Sequence, residues 1–286
     1  MQNISGGNGA LGLGSELNNT LKSAPTQVGS ATHWKAIAAS KGFSIALTTS
    51  GTLWSWGSSQ DGRLGIGNTS SQYVPVQVGT DTDWQSITTG EEYALAIKNT
   101  GTLWSWGANS YGQLGLGNTS GTNIPVQVGS ATHWQNVSAG LFHTLAITTD
   151  GTLWSWGYNN YGELGLGDNV NRNVPVQVGL QNNWQSIDAR VFNSAALTDE
   201  GTLFTWGYNS NSQLGIGNTT NKNVPTGINC PTCATESVDV PTVVSPLIVM
   251  QGATPSSLTA TSGDTGLLWY THPTEGTGST TAPLTS

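Results

Sequence analysis

The segment GTLWSWG stands at residues 51–57, 101–107 and 151–157, and a variant, GTLFTWG, at 201–207. A chain that spells one segment at a fixed period must build one local structure repeatedly and bury it by stacking the copies. The register extends well beyond the heptapeptide. Pro25, Pro75, Pro125, Pro175 and Pro225 share a column, as do Trp34, Trp84, Trp134 and Trp184. Leu-Gly pairs follow at 64–65, 114–115, 164–165 and 214–215, and an earlier copy, ALGLG at 10–14, is offset by three residues. The spacing predicts complete units at about 30–79, 80–129, 130–179 and 180–228, preceded by a half unit at about 1–29.

Each unit reads as four short strands. In the third, HWQNVSAG (133–140), HTLAITT (143–149), GTLWSWG (151–157) and VPVQVG (174–179) alternate or are rich in β-branched residues. Gly, Asn and Asp supply the turns, with an Asp-Gly hairpin signal at 150–151. No segment carries apolar residues at helical spacing over three turns. The class is all-β, and four strands in such a period match a β-propeller blade. Along TLWSW, Leu153 points to one face while Trp154 and Trp156 point to the other. Two roles are open to the tryptophans, inter-blade core or ligand-stacking platform. Identical residues in every unit are what packing symmetry demands, so Trp54, Trp56, Trp104, Trp106, Trp154, Trp156 and Trp206 are assigned to the core.

The pattern GTLWSWGANSYGQLGLGNTSGTNIPVQV at 101–128 resembles the regulator of chromosome condensation repeat. That family is marked by a Gly-x-Leu-Trp-x-Trp-Gly strand followed by Gly-Gln-Leu-Gly-x-Gly, and the resemblance covers roughly residues 6–228. It implies a β-propeller, usually of seven blades, with functions that include nucleotide exchange on a small GTPase, chromatin docking and β-lactamase inhibition. This chain departs from the family's Gly-x-x-His-Ser segment: the histidine column reads Phe43, Tyr93, His143 and Asn193. The exchange member's long inserted wedge has no counterpart here. If seven blades hold, about two and a half precede residue 1, so the expectation is an incomplete propeller.

Past Ile228 the period stops. NCPTCATESVDVPTVVSP (229–246) reads as a Pro-punctuated linker. Cys230 and Cys233 have no second Cys or His pair to complete a zinc site. A short-range disulfide or idle thiols, a half-site completed elsewhere and redox chemistry remain open for them. Residues 247–286 contain Leu258-Thr259-Ala260 and Leu268-Trp269-Tyr270-Thr271. These resemble the immunoglobulin-like modules of large bacterial surface proteins, here too short for a whole sandwich of about 100 residues.

Charge narrows the partners. Eight Lys and Arg against sixteen Asp and Glu give a net charge of −8. No basic cluster exists to displace counterions from phosphates, so nucleic acid is not expected as a partner. No apolar run approaches the roughly 20 residues of a membrane-spanning helix. Only 8% of residues are charged, and Ser, Thr, Asn and Gly carry the solubility. No nucleophile–base set, phosphate loop, metal cluster or cofactor motif is found. The columns that vary are the loops after each Trp-Gly, which place Tyr111, Tyr158, Tyr161 and Tyr208 in succession, while a second variable segment before the prolines carries Tyr73, Arg172 and Lys222. Loop tyrosines are favoured contact residues, although ordinary loop packing would also account for them. The functional expectation is a non-enzymatic binding or display module of a secreted or cell-surface bacterial protein, engaging a protein or glycan. The alternatives are an exchange factor for a small GTPase and an accessory domain of an enzyme whose catalytic part lies elsewhere.

Overall fold

Short runs of Ile, Val, Leu, Trp and Thr punctuated by Gly form strands and little else. A computed structural model of the chain describes residues 9–14 and 22–228; the linker, both cysteines and the immunoglobulin-like segment lie outside the described residues. Four antiparallel four-stranded sheets follow one another along the chain. Blade 1 comprises β1 (Trp34–Ser40), β2 (Phe43–Thr48), β3 (Leu53–Gly57) and β4 (Gln72–Gln77). Blade 2 comprises β5 (Trp84–Thr89), β6 (Tyr93–Lys98), β7 (Leu103–Gly107) and β8 (Thr122–Gln127). Blade 3 comprises β9 (Trp134–Ala139), β10 (His143–Thr148), β11 (Leu153–Gly157) and β12 (Arg172–Gln177). Blade 4 comprises β13 (Trp184–Arg190), β14 (Asn193–Thr198), β15 (Leu203–Gly207) and β16 (Lys222–Gly227). The first strands of successive blades approach one another, which places them at the inner edge and the fourth strands at the outer edge.

The fourth strands differ from the sequence expectation. β12 begins at Arg172 rather than Val174, because a bulge between Ser155 and Gly157 lets Gly157 pair with Arg172. Tyr73, Arg172 and Lys222 therefore stand on strands, not in a loop. Pro75, Pro125, Pro175 and Pro225 sit inside these strands. That is tolerated because an outer-edge strand has one side without a ladder partner, where a missing N–H costs nothing and blocks unwanted pairing.

Successive blades bury one face each. The forward face of blade 2 (Tyr93, Leu95, Ile97, Leu103, Leu114) packs on the rear face of blade 3 (Trp134, Val137, Ala146, Trp156). The same columns meet between blades 1 and 2 and between blades 3 and 4. Leu53, Leu103 and Leu153 are fully buried by the following blade, whereas Leu203 on the forward face of blade 4 is 41% exposed.

The two tryptophans of each GTLWSWG copy have different environments, and Trp206 of the GTLFTWG variant follows the inner one. Trp106, Trp156 and Trp206 are fully buried and Trp56 nearly so. Trp54, Trp104 and Trp154 are only half-buried. Each of these turns edge-on to the first-strand tryptophan, as in Trp134–Trp154 at 6.0 Å. Their indole N–H groups bond the hydroxyls of Thr52, Thr102 and Thr152 at 2.9–3.0 Å. The inner indoles instead reach across the interface. Trp106 donates to the Arg63 carbonyl at 3.0 Å, Trp156 to Gln113 at 2.9 Å and Trp206 to Glu163 at 2.8 Å. For blade 1 the leading segment plays this part, with Trp56 donating to the Ala10 carbonyl at 3.2 Å. Each Leu-Gly-x-Gly segment is thus a cap for the next blade's tryptophan, which explains why the motif recurs.

Gly115 shows how tight that cap is. Its φ is +72°, and an added Cβ would lie 2.8 Å from Trp156 Nε1. Gly117 also has a left-handed φ of +79°, but its Cβ would meet nothing closer than Val174 Cγ1 at 3.8 Å. Gly117→Ala is expected to cost only backbone strain, about 1 kcal/mol, and Gly115→Ala about 2–3 kcal/mol. Urea unfolding of the two variants measures the difference. Equal losses would show that the cap is not a steric contact.

Candidate functional site

The loops after the Trp-Gly of blades 2–4 are held from inside by an asparagine, where blade 1 has Ser59 bonding the Asn68 carbonyl at 3.0 Å. Asn159 Oδ1 accepts the Leu164 amide at 2.9 Å, while its Nδ2 donates to the carbonyls of Asp168 and Val170 at 3.0 and 3.1 Å. Asn109 and Asn209 repeat these bonds in blades 2 and 4. All three are buried. A second clip comes from the residue before the Leu-Gly pair: Gln113, Glu163 and Gln213 accept the amides of Tyr111, Tyr161 and Asn211 at 2.8–2.9 Å. These loops are therefore pre-shaped platforms, and what they display is aromatic.

Tyr111, Tyr158, Tyr161 and Tyr208 lie at one end of the blades, where the turns after β9 and β13 add Phe142 and Phe192. The rings form a continuous ladder across blades 2–4. Centroid separations are 5.0 Å for Tyr111–Phe142, 5.0 Å for Tyr111–Tyr158 and 6.4 Å for Phe142–Tyr158. They continue at 5.8 Å for Tyr158–Phe192, 5.4 Å for Tyr161–Phe192 and 4.9 Å for Tyr161–Tyr208. Such separations suit edge-to-face pairing, which fixes each ring's orientation. Tyr111 is 37% exposed and the other rings are half-buried, so the ladder keeps an accessible edge. Tyr73 does not belong to it, since it stands on the outer strand β4. The two phenylalanines were missed by sequence reasoning. The available signal was their shared column, which reads Gly42, Glu92, Phe142 and Phe192.

On blades 1 and 2 the same rim is charged. Asp61 occupies the column of Tyr111 and Tyr161. Lys41 pairs with Glu91 at 2.6 Å, and the buried Arg63 lies 3.3 Å from Asp61 and 3.2 Å from Glu92. The rim thus has an ionic sector and an aromatic sector.

Two titratable groups close in sequence to the rim aromatics, Glu163 and His143, are fully buried. Burial pushes the Glu163 carboxyl up to about 7, against the opposing amides of Glu163 and Tyr161. Its Oε1 has no partner. Burial likewise lowers His143 to about 4. His143 Nε2 stands 3.0 Å from Ser194 Oγ, and Ser194 Oγ is 2.7 Å from the Glu163 carbonyl. A Ser–His pair of this kind invites comparison with a hydrolase, but the chemistry differs. The single serine proton is committed to the Glu163 carbonyl, so the imidazole donates rather than accepts. Both side chains are buried, and the link joins blade 3 to blade 4. Among the described residues no group of three His, Cys, Asp or Glu is placed to hold a metal ion. No described helix is long and apolar enough to cross a membrane.

Four such sheets, packed face to face through repeated tryptophans, define a run of β-propeller blades. A family profile described as RCC1-like domain matches residues 5–248. The chain belongs to the RCC1-like domain family. Comparison with curated proteins finds no match. Among solved structures, human WBSCR16 is 27% identical with a TM-score of 0.63, covering 69% of this chain and 53% of that one. Prp20p from Saccharomyces cerevisiae, a structure described with its binding properties to Gsp1p and histones, is 22% identical with a TM-score of 0.64, covering 71% and 52%. Yeast RCC1 (Prp20) bound to Kap60 is also 22% identical with a TM-score of 0.64, covering 73% and 51%. The chain spans about half the length of these structures.

Proposed function

We propose that this chain is a non-enzymatic binding module that engages a partner, protein or glycan, through the aromatic sector on blades 2–4. The observation that carries this is the ladder itself. Six rings from three blades lie on one rim, the four tyrosines on loops braced by buried asparagines. Aromatic anchors fixed before binding lose little entropy on complex formation, which is how tyrosine-rich antibody loops achieve affinity. Prp20p, which shares the fold, is described with its binding properties to Gsp1p and histones, which supports the same assignment. Low charge and an abundance of Ser, Thr and Asn suit display outside a cell, and we place the module there, on a secreted or surface-attached bacterial protein.

Pull-down with the full chain, followed by affinity measurement on rim variants, tests the proposal. Tyr158→Ala and Phe192→Ala are each expected to weaken the captured partner roughly tenfold or more, in the range of aromatic hot spots. Tyr73→Ala, on β4, serves as the matched control. Equal affinity for all three variants and the parent would remove the rim from the function. Catalysed nucleotide release from small GTPases at sub-stoichiometric protein would replace binding with exchange.

A further inference from the structure

Resting on the rim assignment, we infer that the aromatic sector takes a cationic side chain, lysine or arginine, from a basic segment of a protein partner, seated on Tyr158, Tyr161 and Phe192 with Glu163 as the buried counter-charge. The three rings form a closed triangle, with centroids 6.2 Å apart for Tyr158–Tyr161, 5.8 Å for Tyr158–Phe192 and 5.4 Å for Tyr161–Phe192. Glu163 adjoins it: its carboxylate accepts the Tyr161 amide at 2.9 Å and, when ionised, bears on the Tyr158 phenol.

The fold already combines aromatic rings with carboxylates around two cations of its own. In blade 2, Lys98 Nζ stands 4.8 Å from the rings of Trp84 and of Trp104, with Asp81 at 2.7 Å and Asp83 at 3.1 Å. Across blades 1 and 2, the Arg63 guanidinium lies 5.9 Å from the Phe43 ring, beside Asp61 and Glu92. Rings draw cations through their quadrupole, and a nearby carboxylate adds a full charge. In blade 3 the column of Arg63 holds Glu163 instead. Rings and carboxylate are both present there, and Glu163 has no ion pair among the described residues. The neighbouring cations are committed elsewhere, Arg172 to Asp168 at 2.6 Å and Arg190 to Asp188 at 3.4 Å. His143, linked through Ser194 to the Glu163 carbonyl, is kept neutral by burial. A cation at this place has to come from a partner, since none of the described residues supplies one. The protein's net charge of −8 favours the approach of a basic segment.

The test uses the full chain and a fluorescein-labelled Gly-Ser peptide carrying four lysines, beside the same peptide with every lysine acetylated. The lysine peptide is expected to bind at least about tenfold tighter, and to tighten further between pH 6 and pH 8 as Glu163 ionises. Glu163→Gln is expected to lower affinity several-fold and abolish the tightening, while Phe192→Ala lowers affinity at both pH values. Glutamine fills the same column at Gln113 and Gln213, so the Gln variant retains the loop clip, which thermal unfolding verifies. Attraction by net charge alone would leave Glu163→Gln and Phe192→Ala unchanged, and that result overturns the assignment. Equal binding of the acetylated peptide overturns it too. A partner captured through the rim but indifferent to its own lysine and arginine charge would leave the rim function standing and remove only the cation.

Discussion

Trp156→Ala is expected to cost about 3–5 kcal/mol, the range for truncating a large buried aromatic. Trp156 is closed off from solvent between the two blades: it shares a core cluster with Tyr93, Leu95, Leu103 and Trp134, and its relative exposure is 0%. Its removal opens a cavity between blades 2 and 3 and takes one of two donors from the Gln113 carbonyl, leaving Thr144 at 3.0 Å. Trp154→Ala is expected to cost about half as much, since Trp154 is half-buried and its N–H returns to Thr152 within its own strand. Urea unfolding of both variants measures the order. Equal losses, or a larger one for Trp154, would contradict the assignment of the inner tryptophan as the interface core. Because each interface repeats, the same order is expected for Trp106 against Trp104.

That asymmetry within one heptapeptide marks what the sequence could and could not disclose. Period, strand content and propeller class were legible, because repeated tryptophans and Leu-Gly pairs impose identical packing on every blade. Alternation put Trp154 and Trp156 on one face, but burial along that face depends on distance from the preceding blade's cap, which alternation does not encode. The aromatic sector was half legible. Loop tyrosines stood out as variable residues, whereas Phe142 and Phe192 sat in hairpin turns where an apolar residue reads as core. Tyr73 was grouped with them because a proline two residues later suggested a loop, yet a bulge extends the strand past it. The buried Asn109, Asn159 and Asn209 were invisible for the opposite reason, since Asn in a Gly-rich loop looks solvated until its partners converge around it.

Glu163→Gln is expected to stabilise the protein above neutral pH and to change little near pH 4.5. Burial raises the folded carboxyl from 4.5 to about 7, so between those values the folded state holds a proton that the unfolded state has released. Stability therefore falls as pH rises through this window, and the full penalty, on the order of 2–3 kcal/mol, is present above about pH 7. Glutamine keeps the bond to the Tyr161 amide and cannot ionise, so the penalty vanishes. At pH 8 the variant's melting temperature should rise by roughly 5–10 °C for a unit of this size. His143 acts with the opposite sign. Its folded value of about 4 lies below the ordinary 6.5, so stability is lost as pH falls from 6.5 towards 4. In the parent the two slopes oppose each other between pH 4.5 and 6.5 and largely cancel. The Gln variant should instead gain stability with pH up to about 6.5 and then level off. Thermal melts of both proteins from pH 4.5 to 8.5 decide the matter. Superimposable curves would mean that Glu163 carries no burial penalty in the folded protein. A stabilised variant that also loses its preference for the lysine peptide would show that this carboxylate is kept at a cost in stability because binding needs its charge.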